Sequence, residues 1–138
     1  MLVDWPRHAE WMFLTTAEGG DKEGDVIVAR TGLGPIGFTD TMEITHWSPA
    51  TDTSVGRCEV RHVGRLVRGQ GAFAVVPLAG GRSRIVWAEN LELPFGALGL
   101  LGWAFVHPLA SLFLRRSLRK LARLAAAEAT GGGAKEAQ

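Results

Sequence analysis

From Leu93 to Leu114 the chain runs for twenty-two residues without an Asp, Glu, Lys or Arg, and Arg115-Arg116-Ser117-Leu118-Arg119-Lys120 follows at once. That length could span a bilayer, and a basic flank is what a cytoplasmic boundary carries. Two features point elsewhere. Pro94, Gly96, Gly99, Gly102 and Pro108 interrupt the run, and His107 and Ser111 sit inside it. The helical period also continues past the charges. Leu114, Leu118, Leu121, Leu124 and Ala125 share one face of a helical wheel, and Arg115, Arg116, Arg119, Lys120 and Arg123 share the opposite one. The pattern describes an amphipathic helix lying on an apolar surface, with Pro108 at a kink or a fresh start. Its basic stripe is either a solvated back or a peripheral contact with anionic lipid or an acidic partner.

Such a helix needs an apolar surface, and the preceding residues supply one as strands. Gly, Pro, Asn and Asp clusters punctuate residues 13–94, and the segments between them favour β-branched and aromatic residues. The expected strands are Phe13–Glu18, Asp25–Thr31, Phe38–Trp47, Arg57–Val63, Gln70–Pro77 and Arg82–Leu93. Their connections are short, so they pair as antiparallel hairpins, with Gly80-Gly81 as one tight turn. Gly32-Leu33-Gly34-Pro35 is a turn and not a phosphate cradle, because Pro removes a donor.

Composition excludes several classes. With 46% hydrophobic and 21% charged residues over 138 positions, the chain is a globular domain and not a disordered one. The net charge of +1 offers no field for nucleic acid. It is unevenly placed: residues 1–114 carry 9 Lys/Arg against 12 Asp/Glu, and residues 115–138 carry 6 against 2. Cys58 is the single cysteine, so there is no internal disulfide, and no Cys/His spacing suggests a metal. No secretory signal opens the chain, and a cytoplasmic location is expected. Instead, Asp4-Trp5-Pro6 leads into a short helical segment whose Trp5, Trp11 and Met12 need an apolar surface. Residues 1–128 read as one domain and 129–138 as a polar, disordered tail.

A bent antiparallel sheet holding one long C-terminal helix is an α+β helix-grip arrangement. Several stretches carry a resemblance in that direction: Asp4-Trp5-Pro6 with Trp11, Phe38-Thr39-Asp40-Thr41-Met42-Glu43, Glu59-Val60-Arg61-His62-Val63-Gly64, Val67-Arg68-Gly69-Gln70-Gly71 and Trp87-Ala88-Glu89-Asn90-Leu91, with Arg116 to Leu121 in the final helix. In their order and spacing the sequence resembles the polyketide cyclase/dehydrase-like branch of the START-related (SRPBCC) superfamily over residues 3–127. The resemblance implies a hydrophobic ligand held between sheet and C-terminal helix. It also implies a first strand and a first helix ahead of the Trp-Pro segment. Neither is present, so a natural start upstream of Met1 is expected.

Strand alternation names the residues that would line the hollow. Phe38, Asp40, Met42, Ile44 and His46 share one face of a strand; Val60 and His62 (with Cys58), Phe73 and Val75, and Ile85, Trp87, Glu89 and Leu91 continue it. Leu98, Leu101, Phe105 and Leu109 are expected from the helix, and Trp11 at one end. His46 adjoins a strand end and is expected in solvent. The apolar members would equally suit an ordinary core. The polar ones are more telling, because a buried carboxylate is costly unless paired. His62 with Glu89 or Asp40 therefore marks a polar spot that would orient an oxygen-bearing hydrophobic ligand. The first expectation is thus a metal-free, cofactor-free binding protein for a lipid, polyketide or similar molecule, monomeric or homodimeric. Two alternatives stand beside it. One is an aromatase/cyclase-like enzyme using His62 with Glu89 or Asp40 as general base. The other is a membrane-associated protein using Leu93–Leu114 and its basic flank.

Overall fold

The computed structural model describes residues 1–92 and 96–133. A 3-10 turn at Trp5–Arg7, with Pro6 at its start, passes directly into a short helix, α1 (His8–Trp11). Six strands follow: β1 (Thr15–Gly19), β2 (Val26–Leu33), β3 (Ile36–Ser48), β4 (Gly56–Val63), β5 (Arg68–Leu78) and β6 (Arg82–Leu91). They pair antiparallel in chain order and curl into a half-barrel. One long helix, α2 (Gly96–Gly133), completes an α+β architecture compatible with a helix grip. It extends beyond residue 129, into the stretch expected as a tail; residues 134–138 lie outside the described residues.

The hairpins follow from their turn residues. β2 and β3 pair down to Leu33 and Ile36, leaving Gly34-Pro35 as a two-residue turn with Gly34 at φ 52°. β5 and β6 close between Leu78 and Arg82, where Gly80 and Gly81 hold φ of 74° and 66°, a region that favours glycine. β4 alternates as expected: Gly56, Cys58, Val60 and His62 are buried, and Arg57 and Arg61 are exposed.

One irregularity changes the expected parity of β3. Ile44 pairs with Val60, but His46 pairs with Glu59 and Trp47 with Cys58, so Thr45 is an extra residue in a β-bulge. Beyond it the faces exchange. Trp47 packs against the core, and His46 turns outward, its Nδ1 3.0 Å from Glu23 Oε1. The expected inward face of β3 therefore ends at Ile44.

The core sits on the concave face of the sheet. Trp5, Trp11, Ile27, Ile44, Val60 and Phe73 are among its buried members, and Leu121 of α2 joins them. The N-terminal segment thus docks firmly: Leu2, Trp5, His8 and Trp11 are all buried. Phe13 bridges to α2, stacked on Phe113 at 4.5 Å and donating its backbone N–H to the Ser117 hydroxyl at 3.2 Å. Arg7 reaches Glu128 from the same side.

Among the described residues these contacts with α2 run from Phe113 onward. Leu121 is 1% exposed, whereas Phe105 is 81% exposed, and Leu109 and Leu112 are exposed too. This corrects the expectation that Phe105 and Leu109 face the hollow; the side chains of Leu98 and Leu101 lie outside the described residues. The helix continues through Pro108 without a fresh start. Among the described residues no helix is long and apolar enough to cross a membrane.

Candidate functional site

Three strands bring three of the predicted polar residues together. His62 on β4 sits between two carboxylates: its Nδ1 lies 2.8 Å from Asp40 Oδ2 on β3, and its Nε2 lies 3.0 Å from Glu89 Oε2 on β6. The register explains both contacts. Met42 is the direct partner of His62, so Asp40 is its diagonal neighbour on the same face. Glu89 is two strands away, and β5 runs between them. The bridge is made because Glu89 pairs with Gly71, whose lack of a side chain leaves the space open. A Cβ at Gly71 would stand 2.7 Å from Glu89 Oε2 and 3.1 Å from His62 Nε2. The second Glu89 oxygen accepts the Trp87 indole N–H at 2.7 Å.

The electrostatics of this triad decide its chemistry. Burial is the largest influence on the imidazole and pushes its pKa down. The hydrogen bonds to Asp40 and Glu89 together outweigh it and raise the pKa to about 9. His62 is therefore an imidazolium at neutral pH, donating both ring N–H groups to carboxylates. No ring lone pair remains to take a proton from a substrate. The carboxylates flank opposite ends of the ring, and among the described residues no three His, Cys, Asp or Glu converge as metal ligands.

Asp40 keeps one acceptor free. Its Oδ1 is buried and has no hydrogen-bond partner among the described residues; the Trp11 indole nitrogen is in the same position. A buried unpaired acceptor is rare in folded proteins and asks for a partner.

Asp40 also lines a cavity of about 120 Å³ on the concave face. Phe38, Met42, Val60, Phe73 and Trp87 line it as well, so six of the predicted residues share one wall. Ile44 and Trp11 pack in the core instead, and His62 and Glu89 stand behind Asp40. Among the described residues the opposite wall is not α2 but the N-terminal segment, through Trp5, His8 and Met12. Sequence reasoning did not assign those three, nor Ile27, Ala29 and Thr31 of β2, although the period-two spacing of the last three was available. His8 is buried against Trp11, ring centroids 4.6 Å apart, and desolvation lowers its pKa.

A second apolar cavity of about 340 Å³ lies beyond Phe73, lined by Leu2, Trp47, Cys58 and Val75 among others. Phe73 belongs to both walls, stacked on Trp87 at 5.2 Å and edge-on to Trp5 at 6.2 Å. Cys58 is no nucleophile in this setting, because burial pushes its thiol up to about 12.

Comparison with protein-family models, curated proteins and solved structures finds no match for this chain.

Proposed function

We propose that this chain binds a small hydrophobic molecule carrying a hydroxyl or similar hydrogen-bond donor, held in the concave hollow of the sheet. The observation that carries the reading is Asp40, the one carboxylate residue lining a mostly apolar cavity, whose Oδ1 is buried and has no partner among the described residues. His62, itself held by Glu89, fixes that carboxylate in place. A donor on the ligand would satisfy Oδ1 while its apolar body lies against Phe38, Met42, Phe73 and Trp87. The resemblance to the START-related superfamily supports the same role. Size sets the ligand class. A dry cavity of ~150 Å³ accepts benzene, so the nearer chamber suits one ring. A lipid or polyketide would need the second chamber as well.

Ligand binding is favoured over cyclase-like catalysis because both His62 nitrogens are already donating. The isosteric pair phenol and toluene tests the proposal by fluorescence titration, with Trp5 and Trp87 at the cavity as reporters. Phenol should bind more tightly by roughly ten- to a hundredfold, the worth of a hydrogen bond to a buried charged acceptor. Equal affinities, or no binding of either, would reject the proposal.

A further inference from the structure

The outward face of α2 changes character along its length. On a wheel of 100° per residue, Phe105, Leu109 and Leu112 fall within about 60° of one another, and Arg116, Arg119, Lys120 and Arg123 fall on the same side farther along, within about 100°. This face points away from Leu121, which is the side that meets the core. All seven of these side chains are exposed, Phe105 the most of the apolar three. Among the described residues none of the four basic groups has a carboxylate within ion-pair distance. The helix therefore presents an apolar stripe that continues directly into a row of unpaired cations, and it does so outside the fold's own packing.

An aqueous setting explains the cations but not three large apolar side chains in line with them. We infer that this face docks on an anionic lipid bilayer, with α2 lying in the interface. Phe105, Leu109 and Leu112 enter the acyl boundary, and Arg116, Arg119, Lys120 and Arg123 lie against lipid phosphates. Partly embedded apolar stripes flanked by Lys and Arg bind bilayers in this way. Charge complementarity selects the anionic surface: each Lys or Arg near it adds roughly fivefold to the partition coefficient. The docking is independent of the cavity, whose walls contain no residue of this stripe.

The test is sedimentation of the full chain with vesicles of phosphatidylcholine alone and of phosphatidylcholine mixed with phosphatidylglycerol. The chain should pellet with the mixed vesicles, and raised salt should release it. The triple variant Arg116→Ser/Arg119→Ser/Arg123→Ser should bind roughly a hundredfold more weakly. Phe105→Glu/Leu109→Glu should abolish pelleting while leaving the near-ultraviolet dichroism of the tryptophans unchanged. A polarity-sensitive dye on Leu112→Cys, the native Cys58 being buried, should shift to the blue on mixed vesicles. Equal binding to both vesicles, or no binding, overturns the proposal. So does a Phe105→Glu/Leu109→Glu variant that turns a dimer into a monomer and leaves vesicle binding untouched, since the face would then be covered by a second copy.

Discussion

Glu89 reaches His62 over the bare backbone of Gly71, from a strand that does not border β4. The polar end of the cavity thus depends on a residue that contributes no side chain. Asp40 and Trp87 complete the arrangement, so three side chains from two strands hold fixed positions around one imidazolium.

The first prediction concerns that gap. Gly71→Ala should destabilise the fold by about 1–3 kcal/mol, the usual cost of overpacking. In a Glu89→Ala background the same change should cost far less, because the main clash is with the Glu89 carboxylate. Denaturant unfolding of the four proteins in the cycle checks this; additive effects would show that the two residues do not meet.

The second concerns pH. The folded pKa of His62, about 9, lies above its ordinary 6.5. Its contribution to stability is thus complete below about pH 6.5 and lost as pH rises through 9. His62→Gln should be destabilised relative to the parent at pH 6, with the gap narrowing in alkaline solution. An NMR titration of the His62 ring should have its midpoint near 9. A midpoint at or below 6.5 would contradict the triad. His8, whose pKa burial lowers, acts in the opposite direction: its contribution is present above 6.5 and falls away in acid.

Phe73 supplies a third. Because it separates the two chambers, Phe73→Ala should join them and shift probe preference from phenol toward the longer 2-naphthol. Truncating a buried Phe also costs about 3–5 kcal/mol. Phe73→Leu, a milder change, should show the same shift in smaller measure. Identical preference in all three proteins would mean that the ring is not the partition.

A fourth contrasts the two halves of α2. Leu121→Ala should cost about 2–5 kcal/mol, as buried leucines do. Phe105→Ala should stay within ~0.5 kcal/mol despite removing a larger side chain. Thermal melts of the two variants decide it, and comparable losses would place Phe105 in the core.

Much of this is legible in the sequence. All six strands show as alternating or apolar runs between Gly, Pro and Asp, and their observed ends differ by only a few residues. The meeting of Asp40, His62 and Glu89 followed from face assignments on three strands. Thr45 was opaque, because an inserted residue leaves no compositional trace, and the inward face was therefore extended to His46. The role of Trp5 and His8 as the opposite wall was hidden because a chain terminus seldom builds a cavity. Phe105 and Leu109 were readable but misread. The wheel that puts the arginines opposite Leu121 also puts these two with the arginines, and carrying it back past Leu114 to Phe105 moves them off the cavity.

The insertion at Thr45 means that β3 carries two reading frames along a single strand. Upstream of it, even-numbered side chains point into the hollow; downstream, odd-numbered ones do. Excising that one residue would merge the frames without turning either side chain: Ile44, His46 and Trp47 would meet Val60, Glu59 and Cys58 in an unbroken ladder, with Trp47 still inward and His46 still outward. It is a substitution at Trp47, and not the loss of its neighbour, that would strip the larger chamber of its ring wall.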